Sequence, residues 1–169
     1  MSKPDFTQSG QLISPADNIF DRKALDVKID AVLESMSDGS KIRTSLVKIL
    51  TEARANGMAA IARSFAKKPF SAHPTTSSYS YLTDCLIETA YCAIVRHLYP
   101  TQFSTTGERL VLIAVGGYGR GEMAPFSDVD LLFVVPYKIT AWAENIVESL
   151  LYVLWDLKIK VGHACRTIN

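Results

Sequence analysis

The most constraining feature of the sequence is a glycine-rich segment between two apolar runs, VGGYGRGEMAPFSDVDLL at residues 115–132. The run LVLIAV precedes it at residues 110–115, and the run DVDLLFVV closes it at residues 128–135. An unbroken apolar run between turn signals is typical of a strand that is buried on both faces. The sequence therefore predicts two buried strands, with glycines directly after the first and two aspartates at the start of the second.

Apolar periodicity predicts the remaining elements. After the second strand, an amphipathic helix at residues 141–157 leads to a third strand at residues 158–167, which gives the order β, glycine-rich turn, β, α, β. Ahead of these elements the pattern predicts a mobile leader at 1–17 and helices at 18–35, 40–66 (capped by Asp38) and 80–98, with a linker at 67–78. The resulting organisation is a leader at 1–17, a helical region at 18–100 and an α/β core at 101–169.

Composition restricts the classes of function. The 169 residues are 48% hydrophobic and 21% charged, with a net charge of +1, so charge does not indicate a nucleic-acid or membrane partner. No apolar run approaches the roughly 20 residues of a spanning helix, and no signal peptide is recognisable. The three cysteines Cys85, Cys92 and Cys165 lack metal-ligand spacing. They are expected to be buried thiols in a reduced, cytoplasmic protein.

Asp128 and Asp130 are the candidate metal ligands. Residues i and i+2 of a strand point to the same face, so the two carboxylates lie close together and repel each other. Their neighbours Val129, Leu131 and Leu132 are apolar, which limits solvation. A divalent cation resolves the repulsion, and Mg²⁺ favours one or two carboxylates completed by waters and phosphate oxygens. The pair therefore predicts metal-assisted phosphoryl-type chemistry.

The glycines after the first strand predict a phosphate-binding turn. Gly116 and Gly117 are placed to bring backbone N–H groups close to a triphosphate, because no side chain obstructs the approach. Ser127 is a candidate hydroxyl donor to a phosphate. Arg120 is assigned either to the triphosphate or to a surface ion pair.

Other glycine motifs fit less well. The Walker pattern GxxxxGK[ST] is absent from the sequence. A dinucleotide pattern can be forced through Gly119, Gly121 and Ala124, but Pro125 follows where a long helix has to begin. The remaining alternative is structural, with the glycines forming a plain turn and the aspartates a solvated strand end.

The pattern of paired glycines followed by DVD resembles the signature of the DNA polymerase β-like nucleotidyltransferase superfamily. The fuller string GGYGRGEMAPFSDVDLLF is similar to that of the bacterial PII uridylyltransferases, which are bifunctional uridylyltransferase/uridylyl-removing enzymes. The likeness covers residues 109–169, including KVGHACRTI. It implies a mixed α/β (α+β) fold, in which a small mixed sheet with helices follows an N-terminal helical block.

The resemblance also implies an activity. Members of this family transfer UMP from UTP to a tyrosine of the nitrogen-regulatory protein PII and release pyrophosphate, with Mg²⁺ as the required metal. By this likeness, Asp128 and Asp130 match the catalytic metal-binding pair. Gly116 and Gly117 match the nucleotide-binding turn.

Two departures from the family pattern qualify this expectation. The superfamily uses a third carboxylate on a later strand, whereas the segment at residues 158–167 contains none. Family members also continue into uridylyl-removing and glutamine-sensing domains, so the chain is expected to be an N-terminal fragment with weak or no activity alone. Two alternatives stay open: a nucleotidyltransferase with another nucleotide or acceptor, such as an adenylyl transferase, and a catalytically silent nucleotide-binding or regulatory module.

Three further residues carry weaker expectations. His163 alternates with Val161 and Cys165 and is expected to be structural. Arg166 points to the opposite face. It is expected either to contact the triphosphate or acceptor or to form an ion pair at the sheet edge. Tyr118 either packs the glycine turn or stacks on a base.

Overall fold

A computed structural model describes residues 12–100 and 108–168 of the chain. The helices are α1 (Ala16–Ile19), α2 (Arg22–Leu33), α3 (Gly39–Lys67), α4 (Ala72–Ala93), α5 (Gly116–Gly119) and α6 (Ala141–Asp156), and a π-helical turn (Ile94–Leu98) continues α4. The strands are β1 (Val111–Val115), β2 (Val129–Val135) and β3 (Val161–Thr167). This arrangement, a small mixed sheet with helices, confirms the predicted fold class.

The first expected helix, residues 18–35, is two helices in the structure. Phe20 is extended, with φ −156°, and ends α1. The side chain of Asp21 then accepts the N–H of Ala24 and begins α2. An aspartate in this position satisfies one of the free N–H groups of a new helix, which explains the break. The second expected helix is confirmed as α3, and Asp38 caps it as expected by accepting the N–H groups of Ser40 and Lys41.

The expected linker at residues 67–78 is wrong over most of its length, because α4 begins at Ala72. Pro74 lies in the first helical turn, where a missing N–H costs no hydrogen bond. The Thr75 hydroxyl donates to the carbonyl of Ser71 at 2.6 Å, and the Ser78 hydroxyl donates to that of Pro74 at 2.7 Å. Ser78 also accepts the N–H of the buried Ile13 at 2.9 Å. Residues 1–11 of the expected leader lie outside the described residues.

The sheet has the order β1-β2-β3, with β2 in the centre. β1 pairs with β2 antiparallel, and β2 pairs with β3 parallel through the crossover helix α6. Asp130 lies opposite Val115 of β1 and opposite Gly162 of β3. The aspartate pair is therefore attached to the central strand of the sheet.

Burial of the sheet is one-sided, so the expectation of strands buried on both faces is wrong. In β1, Val111, Ile113 and Val115 are 52%, 41% and 36% exposed. In β2, buried residues such as Leu131 and Phe133 alternate with half-buried ones such as Asp130. The described helices cover one face only. We term the other face the open face. It carries Val111, Ile113, Val115, Asp130, Leu132, Val134, Gly162, Ala164 and Arg166.

One hydrophobic cluster holds the helices and the covered face of the sheet together. Its fully buried members include Leu46, Leu50, Ile61, Leu86, Phe133, Ile146, Leu150 and Leu154. Each such side chain contributes about 1.5–3 kcal/mol on burial. The boundary at residue 100 between helical region and core stays a prediction. In the described part of the chain, no helix is both long enough and apolar enough to span a membrane.

Candidate functional site

Asp128 and Asp130 flank the start of β2 on the open face. Asp128 is exposed and lies one residue before the strand, and Asp130 is half-buried within it. Val129 between them points the other way and is 1% exposed. The N–H of Val129 donates to the carbonyl of Lys160 at 2.8 Å, which fixes the start of the strand against the chain that leads into β3. The core thereby holds the backbone of both carboxylates.

The Asp130 carboxylate lies between two glycines. A Cβ on Gly116 would approach Asp130 Oδ2 to 2.7 Å, and a Cβ on Gly162 would approach Oδ1 to 2.5 Å. Both distances are shorter than real Cβ contacts, so a side chain at either position would force the Asp130 carboxylate to shift. Gly116 also has a φ of +63°, a conformation that disfavours other residues. The slot around this carboxylate therefore exists because both of its neighbours are glycine.

The two carboxylates fit a hard divalent cation. Among the described residues, neither Asp128 nor Asp130 takes part in a salt bridge or a side-chain hydrogen bond. Two carboxylates on one face of a strand without a cationic partner are ligands of the kind that Mg²⁺ prefers, with waters and phosphate oxygens to complete its coordination. Within residues 12–100 and 108–168, no group of three or more His, Cys, Asp or Glu residues could hold a metal ion. Asp128 and Asp130 are therefore the two carboxylate ligands that the described residues offer at this end of β2.

The glycines after β1 form a single helical turn, α5, and not an irregular loop. The first N–H groups of such a turn have no partner inside it and point away from its start. A Cβ on Gly117 would meet only ordinary contacts, at 3.6 Å from the carbonyl oxygen of Glu122 and 3.8 Å from the Arg120 guanidinium. The fold itself therefore leaves room for a side chain at Gly117.

Ser127 ends a tight turn directly before Asp128. Its N–H donates to the carbonyl of Ala124 at 3.1 Å, and its Oγ accepts the N–H of Ala124 at 3.0 Å. Since the hydroxyl serves as the acceptor in this contact, its own proton remains available to a ligand. Phe126 in the same turn is 81% exposed with φ +69°.

Arg120 forms the surface ion pair that was one of its two expected roles. Its Nε donates to Glu122 Oε2 at 3.3 Å, and both side chains are more than half exposed. The same guanidinium donates to the carbonyl of Gly116 at 3.0 Å, so it also braces the glycine turn. An exposed pair of this kind contributes at most about 1 kcal/mol and leaves the guanidinium free to rearrange.

Tyr118 packs the glycine turn. The residue is 6% exposed, and its hydroxyl donates to Asp84 Oδ1 of α4 at 2.5 Å. Burial raises the pKa of the Asp84 carboxyl to about 6, against the opposing effect of the Tyr118 hydrogen bond, and the nearby Glu88 raises it further. Burial likewise raises the pKa of the Tyr118 phenol, so the phenol stays a donor.

Residues 100–164 match the family described as nucleotidyltransferase domain. The chain contains a nucleotidyltransferase domain. The expected resemblance is also confirmed by the relatives, which are named bifunctional uridylyltransferase/uridylyl-removing enzymes.

The relative from Ruegeria pomeroyi is 51% identical over 151 residues, which are 89% of this chain and 17% of the relative. The relative from Cereibacter sphaeroides is 44% identical over 160 residues, 94% of this chain and 17% of the relative. The relative from Rhodospirillum rubrum is 41% identical over 151 residues, 89% of this chain and 16% of the relative. The chain thus spans only 16–17% of the length of these curated relatives. No solved structure matches it significantly.

Sequence reasoning missed two residues that contact the candidate site or its glycine turn. Gly162 was not singled out, although an isolated glycine in a strand signals a close approach. Asp84 carried no signal, because no spacing rule connects it with Tyr118, 34 residues away.

The two residues of β3 that were singled out lie on opposite faces of the sheet. His163 is exposed and lies on the face opposite Asp130. Arg166 pairs with Val134 and lies on the open face, where it donates to the carbonyl of Cys165 at 3.0 Å. Of these two residues, only Arg166 shares a face with the aspartate pair.

Proposed function

We propose that this chain carries the nucleotidyl-transfer site of an enzyme that transfers UMP from UTP to a tyrosine of the protein PII. The acceptor and nucleotide follow the resemblance, and the names of the relatives support uridylyl transfer. The single observation that carries the chemistry is the Asp130 carboxylate, held in a slot between Gly116 and Gly162 without a cationic partner among the described residues. The proposal includes the cytoplasmic location expected from the sequence.

In this proposal Asp128 and Asp130 hold magnesium. The bound metal supplies Lewis-acid activation and offsets the charge of the triphosphate. The tyrosine oxygen attacks the α-phosphorus, the bond from that phosphorus to the bridging oxygen of the β-phosphate breaks, and pyrophosphate leaves while the hydroxyl proton is released.

The remaining site residues position the substrate. The backbone N–H groups of Gly116 and Gly117 donate hydrogen bonds to phosphate oxygens. The Ser127 hydroxyl donates a further hydrogen bond to a phosphate. The Arg120 guanidinium leaves its exposed ion pair with Glu122 and pairs with the triphosphate instead. Since these contacts recognise phosphates, they do not distinguish uracil from other bases.

A second candidate is a catalytically silent module that binds a nucleotide. The observation that favours it is the lack of a third metal-ligating residue near the aspartate pair within the described ranges. A module of this kind binds a nucleotide with magnesium and transfers no nucleotidyl group.

The first prediction concerns calorimetric titration of UTP, ATP, GTP and CTP into the chain, with and without Mg²⁺. We expect tight binding of UTP that requires the metal. Asp128→Asn combined with Asp130→Asn should weaken this binding at least about 100-fold, since each lost charged contact costs 1.5–3 kcal/mol.

The matched control is Glu144→Gln with Glu148→Gln, which removes two charges from the exposed side of α6. It should bind UTP like the parent chain. If the aspartate variant also binds UTP like the parent, the metal assignment is wrong. If another nucleotide binds more tightly, the nucleotide assignment is wrong.

A further inference from the structure

Tyr118 is the one residue of the turn Gly116–Gly119 that has a side chain beyond hydrogen. Its ring is buried, and its hydroxyl donates a hydrogen bond of 2.5 Å to Asp84 of α4. Among the described residues, this is the only side-chain hydrogen bond between the glycine turn and a helix of the N-terminal block. Beside the packing of the buried Tyr118 ring, this bond therefore ties the turn to that block.

The other hydrogen bonds of the turn are local. The N–H of Gly121 donates to the carbonyl of Tyr118 at 2.9 Å, and the N–H of Glu122 donates to that of Gly117 at 3.1 Å. Arg120 contacts the carbonyl of Gly116 from an exposed position. These bonds fix the shape of the turn but do not connect it to another layer of the molecule.

The ionised side chain of Asp84 lowers the stability of the folded chain at this position. Burial in the protein disfavours its charge and raises its pKa to about 6. It lines a cavity of about 790 Å³ together with Glu88, Tyr81 and His73 of α4 and Arg120, which directly follows the turn. The neighbouring residues of β1, Leu112 and Ala114, bring no charge to this cavity.

An uncharged side chain at residue 84 would therefore favour the folded state at neutral pH. A carboxylate retained against a stability cost is more often found at functional sites than elsewhere. Its benefit here is a stronger hydrogen bond, because an ionised acceptor holds a hydroxyl more tightly than a neutral one does.

We propose that Asp84 and Tyr118 are positioning residues of the glycine turn. Ionised Asp84 holds Tyr118, and through it the backbone of Gly116 and Gly117, in the arrangement that receives the triphosphate. The part of this inference that concerns the triphosphate rests on the proposed function. The part that concerns the order of the turn does not.

The test of the turn uses nuclear magnetic resonance on the nucleotide-free chain between pH 5 and pH 8. In the parent, the amide signals of Gly116 and Gly117 should titrate with a midpoint near 6. That titration should vanish in Asp84→Asn. Asp128 and Asp130 are retained in this variant and cannot account for the difference. If the glycine signals titrate in the variant as they do in the parent, the positioning role is refuted.

Tyr118→Phe should raise hydrogen exchange of the turn amides at least about ten-fold, which corresponds to a loss of about 1.4 kcal/mol of local stability. The matched control is Tyr79→Phe. It changes a half-buried tyrosine of α4, the helix that carries Asp84, and its hydroxyl has no hydrogen-bond partner among the described residues. Equal exchange in both variants contradicts the inference.

The affinity for Mg–UTP separates this inference from the proposed function. At pH 7.5 the parent should bind about five-fold more tightly than Asp84→Asn, and at pH 5 the two should be equal, since a charged acceptor adds about 1 kcal/mol to a hydrogen bond. Protonation of the nucleotide affects both proteins alike. A parent that binds no nucleotide refutes the proposed function, while the amide titration still decides the role of Asp84.

Discussion

At the scale of single residues, the geometry around Asp130 depends on the glycines beside it. Gly116 and Gly162 each leave less than 3 Å between a hypothetical Cβ and the carboxylate. Gly117 differs, because its surroundings would accept a methyl group at 3.6 Å or more. Adjacent glycines of one motif thus have different reasons to be glycine, and the fold explains only one of them.

This difference gives a prediction for two alanine variants. Gly116→Ala should destabilise the chain by about 1–3 kcal/mol, because its φ is positive and Asp130 is in the way. Gly117→Ala should leave stability unchanged or raise it by up to about 1 kcal/mol, while Mg–UTP affinity falls at least about ten-fold. Thermal unfolding and calorimetry measure the two effects. Undiminished UTP binding by Gly117→Ala would exclude this glycine from the site.

Asp84 gives a prediction for the pH dependence of stability. The folded-state pKa of about 6 lies above the ordinary 3.8, so this group favours folding fully below pH 4 and loses that contribution as the pH rises through 6. The ionised side chain then costs up to about 3 kcal/mol. Asp84→Asn should therefore gain stability relative to the parent between pH 4 and pH 7.5, as measured by urea unfolding. A pH-independent difference would contradict this.

At the scale of elements, regular periodicity is what made α3 and α6 predictable. Their apolar positions recur at helical spacing, and Asp38 and Thr140 satisfy free N–H groups at their starts. The start of α4 was missed because proline, serine and threonine are typical of linkers, whereas here the hydroxyls bond to carbonyls of the preceding turn. Polar residues alone do not show which of these two uses applies.

The strands of the sheet were predictable from the sequence, but which faces of the sheet are covered by helices was not. An apolar run indicates that a strand is apolar on both faces, but the layer that covers a face is a property of the whole assembly. Val111 and Ile113 thus belong to an apolar strand and are exposed in the described structure. The aspartate pair and the glycine turn were placed correctly relative to the strands because their positions are local. Asp84 was missed because its contact with the site is long-range.

The close packing of α3 against α4 and the end of α1 gives a prediction at the same scale. A Cβ on Gly57 of α3 would come within 2.6 Å of Leu82 and 2.7 Å of the carbonyl oxygen of Ile19. Glycine to alanine in an exposed helix stabilises by about 1 kcal/mol, but Gly57→Ala should destabilise by about 1–3 kcal/mol through overpacking. The control is Asn56→Ala on the exposed side of α3. Urea unfolding of both variants checks this, and a stabilised Gly57→Ala would disprove the tight crossing.

At the scale of the whole molecule, the open face departs from an ordinary protein surface. Isolated exposed apolar residues are common, but a contiguous row of them on a sheet is not. Val111, Ile113 and Val115 form such a row in β1, next to the half-buried Leu132 and Val134 of β2.

A hydrophobic dye should therefore bind the 169-residue chain in its folded state. Val111→Thr combined with Ile113→Thr keeps the branching that suits a strand and should reduce the dye fluorescence at least about two-fold, because it removes apolar area from the patch. Val27→Thr on α2 removes an isolated exposed valine and should have no effect. Equal fluorescence of all three proteins would mean that the dye binds elsewhere.

The alternation along β2 has one more consequence. Asp130 shares a strand with Val129, Leu131 and Phe133, which are between 1% and 3% exposed on the other face. Segments with so many core contacts open only when the entire domain opens. The backbone that carries the Asp130 carboxylate therefore keeps its place in the sheet until the whole domain unfolds. Heat should leave no folded population in which this carboxylate has left the sheet.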